Sequence, residues 1–225
     1  MMDIIPESGL ALGEWLDDLN RPLRWACDRL MDAARVDAYL RPGEVFIMPT
    51  RNTRWGGWAT PGRIRLRGDL ARALSQSNDA GAGAVFLHEV GHVTLYHLNL
   101  NPVAVPERLL RVAPTLASGG HDPVFAALVG VFYQRAGILD VQINSYDCGW
   151  SSEGALDWPG PDWSLDWAHD FSQRHWADEG DVATLVRTAI REFESEFFAR
   201  EARRRWPWRR SENAFTIAAI WRRHR

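Results

Sequence analysis

The chain has 225 residues and contains no lysine, only two cysteines, and no long hydrophobic run. Its longest apolar stretch covers residues 123–133, well short of the ~20 residues that cross a bilayer. That stretch is expected to form a buried helix, and no membrane span is expected. Asp3, Pro6 and Glu7 stand where a secretory signal needs a basic start and an apolar core, so no export signal is read. Cys27 and Cys148 are far apart and lack the paired spacing of a thiolate zinc site or a disulfide framework. Both are expected to be inert packing residues, and a reducing, cytoplasmic location is expected. The absence of lysine makes all 26 basic side chains arginine, which the codon bias of a GC-rich genome explains.

What is present describes a folded protein. The apolar fraction of 46% and charged fraction of 24% are those of an ordinary globular chain, long enough for one catalytic domain and an extension. The net charge of −3 is unevenly spread. Acids crowd Asp157, Asp162, Asp166, Asp170, Asp178, Glu179 and Asp181, whereas the end carries Arg203, Arg204, Arg205, Arg209, Arg210, Arg222, Arg223 and Arg225. Arginines interleaved with Trp206, Trp208 and Trp221 are a candidate grip on nucleic-acid phosphates. A solvated helix face or a contact with acidic protein is the other reading of that end.

Apolar positions from Leu16 to Ala34 recur at helical spacing, and Asn20-Arg21-Pro22 is expected to separate two helices. Residues 44–48 and 63–66 read as strands, with Gly56, Gly57, Pro61 and Gly62 as turn residues between them. Asp69 is expected to cap a short helix, and a boundary at 78–81 precedes the apolar helix 84–98. Further helices are expected near 107–112 and over 122–136, the latter ended by Gly137. Residues 138–143 read as a strand. Residues 148–167, dense in Gly, Pro, Asp and Trp, read as an irregular loop pinned by aromatics. Asp181 is expected to cap a long amphipathic helix with Val182, Leu185, Val186, Ile190, Phe193 and Phe197 on one face.

The chemistry is concentrated in His88-Glu89-Val90-Gly91-His92. In this HExxH pattern the two histidines stand one helical turn apart and can reach one ion, while Glu89 is placed to act as general base rather than ligand. The uncharged residues around it suit a buried catalytic helix. A catalytic zinc needs a third protein ligand and an open position. His97, Glu107, His121 and Asp122 are the candidates. The metzincin pattern is excluded, because it requires glycine where Leu95 stands and histidine where Leu98 stands. Glu107 would give a gluzincin-like site, and Asp122 an aspartate-type site.

HEVGH followed by His121 at the start of an apolar helix, with Phe125 four residues on, resembles the SprT-like zinc metallopeptidases, which carry HExxH and a later HGxxF. The resemblance covers residues 55–137. Asp122 replaces the usual glycine, and with two cysteines there is no zinc ribbon. The resemblance implies His88, His92 and His121 as zinc ligands and Glu89 as the catalytic residue. The same helix also looks like the HExGH helix of ImmA/IrrE-type peptidases, which cut repressors. Their third ligand is a glutamate in an ExxAN context, which 107–111 does not show.

The resulting expectation is an α+β, zincin-like domain over residues 1–148, with a small sheet and an HExxH helix. Residues 149–225 are expected to form a Trp-rich loop and a helical, Arg-rich extension. The leading function is peptide-bond hydrolysis of a protein substrate with one catalytic Zn2+, the substrate lying extended along the strand 63–66. The alternatives are a non-catalytic nucleic-acid or protein-binding protein on a zincin scaffold, and an ImmA/IrrE-type regulator. Tyr96, His97 and Tyr133 are near enough in sequence to be considered for oxyanion stabilisation, and none is assigned.

Overall fold

Eighteen residues from Ala80 to His97 form the central helix, α3, and its composition dictates its position. It is apolar around almost its whole circumference, and such a helix must be enclosed by other elements. Asp79 starts it, the side chain accepting a hydrogen bond from the Ala82 amide at 2.8 Å. A cap of this kind contributes roughly 1 kcal/mol.

In the computed structural model the described residues are 4–6, 12–36, 45–48, 56–77, 79–100, 105–111, 121–139 and 161–205. They form an α+β structure, mostly helical with one small sheet. The elements are β1 (Ile4–Pro6), α1 (Leu12–Ala34), β2 (Val45–Met48), β3 (Gly57–Thr60), β4 (Arg63–Arg67), α2 (Gly68–Ser77), α3, α4 (Glu107–Leu110), α5 (Pro123–Arg135), α6 (Pro161–His175) and α7 (Val182–Arg205). None of these helices is long and apolar enough to cross a membrane. Two compact units are distinguished, Met1–Ile190 and Arg191–Arg225. The expected boundary near residue 148 and the Arg-rich end over 206–225 lie outside the described residues.

The sheet has the order β1-β2-β4-β3, with β1, β2 and β4 parallel and β3 antiparallel to β4. β4 is therefore an interior strand, and the expectation of a substrate along 63–66 is corrected: both of its edges are already paired. The edge beside α3 belongs to β3, which the sequence reading took for part of a turn. Ala59, Ile64 and Leu66 are buried, while Trp58 is exposed with the Arg65 guanidinium 5.1 Å from its ring centre. Gly62, at φ +70°, makes the connecting turn in a conformation few other residues adopt.

Three further expectations are corrected. α1 runs unbroken through Pro22. Proline there removes one backbone donor without ending the helix, and beyond it Leu23, Ala26, Cys27, Leu30, Met31 and Ala34 line one buried face. Residues 161–167 are helical in α6, not irregular, because Ser164, Trp167, Ala168 and Phe171 are buried along one helix side. Ile138 and Leu139 are not in a strand. Ile138 instead closes α5, its amide bonding the Tyr133 carbonyl at 2.9 Å while the Gly137 amide bonds Gln134 at 3.1 Å, the pattern of a Schellman cap. The rest of that expected strand, 140–143, lies outside the described residues.

α6 packs chiefly on α5, and α3 is flanked by β3, β4, α1, α2 and α5. Arg135, in the last turn of α5, ties the end of α1 to the segment that follows α6. It donates to the carbonyls of Trp176 and Asp178 at 2.8 Å each and of Ala34 at 3.3 Å. Asp181 caps α7 as expected, accepting from the Thr184 amide. Val182, Leu185, Val186 and Ala189 are buried in the first part of α7, and Phe193 and Phe197 in the second.

Candidate metal centre

α3 carries His88 and His92 one turn apart, and α5 delivers the third imidazole. Asp122 caps α5 by accepting from the Phe125 amide at 2.9 Å, with Pro123 in the first turn. His121, the residue just before that cap, is thereby held at a fixed point at the end of α5. Asp122 is almost wholly buried and is engaged as a cap. This gives a physical reason for an acid at position 122.

The three rings meet through the same atom. His121 Nε2 lies 3.1 Å from His88 Nε2 and 2.8 Å from His92 Nε2. One nitrogen from each residue falls within a group spanning 4.8 Å, a cluster that could hold a metal ion. Two nitrogens at the usual distance from one tetrahedral zinc stand about 3.3 Å apart, so the observed spacings need little adjustment. The donor chemistry also fits: imidazole nitrogen suits zinc and its first-row neighbours. Burial first, then the charges of His88 and His121, pull the His92 pKa down to about 2, leaving a neutral ring with a lone pair to donate.

Phe125 organises the rings. It stacks on His92 at 4.2 Å and 19°, meets His88 edge-on at 4.9 Å, and lies 5.1 Å from His121. It can do so because α3 presents Gly91 there. A Cβ at position 91 would stand 2.9 Å from Val129 Cγ2 and 3.0 Å from Phe125 Cε2, too close for any side chain in this packing.

Glu89 is buried, 6% exposed, and is not a member of the three-histidine group. Burial pushes its carboxyl up to about 7, with the charge of His88 opposing. On its β3 side it meets Gly57: a Cβ there would be 2.7 Å from both Cγ and Oε1 of Glu89. Sequence reading missed Gly57. Its only signal was a glycine pair two residues before Ala59 and Thr60, indistinguishable from a turn.

The other candidates lie apart from this centre. Glu107 is 80% exposed and pairs with Arg111 at 2.8 Å, as an i,i+4 pair on a short helix. His97 is exposed at the end of α3. Tyr133 is buried and its hydroxyl donates to the Ala84 carbonyl at 3.2 Å, an interior tie between α5 and α3. Cys27 is fully buried, and burial with the nearby Asp28 charge drives its thiol pKa far up, as expected of an inert cysteine. Cys148 lies outside the described residues.

Comparison with known proteins gives no match to a family model, to a curated protein or to a solved structure.

Proposed function

We propose that this chain is a zinc-dependent metallopeptidase of the zincin type, related to the SprT-like group, hydrolysing peptide bonds of a protein substrate in the cytoplasm. The observation that carries this reading is the convergence of His88, His92 and His121 Nε2 beside a buried carboxylate that stays out of the ligand set. Zinc, when bound, supplies Lewis acidity that acidifies a water molecule and polarises the scissile carbonyl.

The chain's own residues do the rest. The three imidazoles would hold the ion, and the buried Phe125 ring packs against all three. Glu89 accepts the proton of the attacking water and passes it to the leaving amine. An extended peptide pairs with the edge of β3, which among the described residues hydrogen-bonds only to β4. Strand addition of this kind supplies affinity through the backbone, and it sets the substrate next to Glu89.

The test is cleavage of fluorescein-labelled casein by protein carrying one zinc per chain. Glu89→Gln is expected to lower the rate by about 10²–10⁴-fold with zinc content and circular dichroism unchanged. Cleavage retained by that variant would remove Glu89 from the role of base.

A further inference from the structure

We infer that Gly57 is a positioning residue for Glu89: the absence of a side chain at this edge-strand position holds the carboxylate in its place. The inference deepens the peptidase reading and rests on it for its catalytic consequence.

The argument is one of space. β3 is in register with β4 so that Gly57 opposes Leu66 and Ala59 opposes Ile64, and Ala59, Ile64 and Leu66 are buried. Alternation along the strand therefore turns position 57 inward, towards α3. The three heavy atoms nearest to a Cβ built there all belong to Glu89: Cγ and Oε1 at 2.7 Å and Cδ at 3.0 Å. These three nearest atoms are all side-chain atoms. A methyl group at 57 would thus be relieved most cheaply by rotating Glu89 about its own side-chain bonds, leaving the strand and helix in place. The fold and the histidines would persist while the carboxylate moved away from them.

Gly56, its neighbour, behaves differently. A Cβ at 56 would meet Leu70 at 3.1 Å and Val85 at 3.3 Å, both apolar and neither part of the site. It is position 57 that bears on Glu89. The strand whose free edge would bind peptide is thereby in contact with the base that would act on it. A substrate registered on β3 would be registered relative to Glu89 by the same backbone.

The experiment compares wild type, Gly57→Ala, Glu89→Ala and the double variant. Zinc affinity, read by competition with a chromophoric chelator, is expected to stay within about threefold of wild type in Gly57→Ala, because the histidines are untouched. Casein cleavage by Gly57→Ala is expected to lose at least ~10²-fold in kcat, the scale of a general base, with KM within about threefold. In the metal-free proteins, Gly57→Ala is expected to cost more than about 3 °C in melting temperature beyond its cost in the Glu89→Ala background, since the second substitution removes the three atoms nearest to the methyl group. Equal costs in the two backgrounds would overturn the inference, as would an undiminished kcat. Absence of cleavage by the wild-type protein would instead overturn the peptidase reading, while the melting comparison still decides whether position 57 acts on Glu89.

Discussion

On the α5 side of the site, Phe125 presses against three imidazoles and its ring occupies space that Gly91 leaves open. On the β3 side, Glu89 rests against bare backbone at Gly57. Both sides depend on a glycine, but for different reasons. Gly91 admits a large ring, so the ligands are held by dense packing among side chains that cannot easily move. Gly57 admits the carboxylate itself, so the base is held by a gap its own flexibility could abandon. The ligand half should therefore fail by losing stability and metal together. The base half should fail by losing chemistry at a smaller cost in stability, with the metal retained.

The sharpest way to break the ligand half is to empty it. Phe125→Ala removes a fully buried ring and is expected to cost about 3–5 kcal/mol, measured by urea unfolding, with weaker zinc binding in the same protein. Gly91→Ala overfills the same contact and is expected to cost about 1–3 kcal/mol, again with loss of zinc affinity. A Phe125→Ala protein of wild-type stability would show that the packing around the rings is not what fixes them.

A test on the base half has the opposite sign. The Glu89 carboxyl is raised from an ordinary 4.5 to about 7 in the metal-free fold. The fold therefore gains from retaining this proton below pH 4.5, and that gain is lost as pH rises through 7. Above pH 7 the buried carboxylate costs up to about 3 kcal/mol. Glu89→Gln carries no such charge. Metal-free Glu89→Gln is expected to be more stable than metal-free wild type at pH 8, the difference vanishing below pH 4.5. His92, whose pKa moves down, is present in both proteins and cancels. An equal difference at both pH values would contradict the burial argument.

Much of the ligand half was legible in the sequence. The one-turn spacing of His88 and His92, the boundary at 78–81 and the stop at Gly137 are local signals, and the structure starts α3 and ends α5 there. His121 needed the resemblance as well, because no local pattern distinguishes it from Glu107 or Asp122. In the base half Glu89 was legible from the same motif, but the strand that supports it was not. Gly57-Trp58-Ala59-Thr60 has a glycine and a small residue at its inward positions and reads as a turn. It is a strand because β4 pairs with it, which is a property of the fold rather than of those four residues. Residues 161–167 misled for a related reason: the buried helix side made by Ser164, Trp167, Ala168 and Phe171 is set by packing and not by local composition.

The central claim is that one metal ion is held by His88, His92 and His121. Its most direct test is a zinc titration of wild type, His121→Ala and Glu107→Gln against a competing chelator. The expected result is one zinc per wild-type chain, at least ~10²-fold weaker binding in His121→Ala, and wild-type binding in Glu107→Gln. Zinc affinity that survives His121→Ala and falls in Glu107→Gln would contradict it.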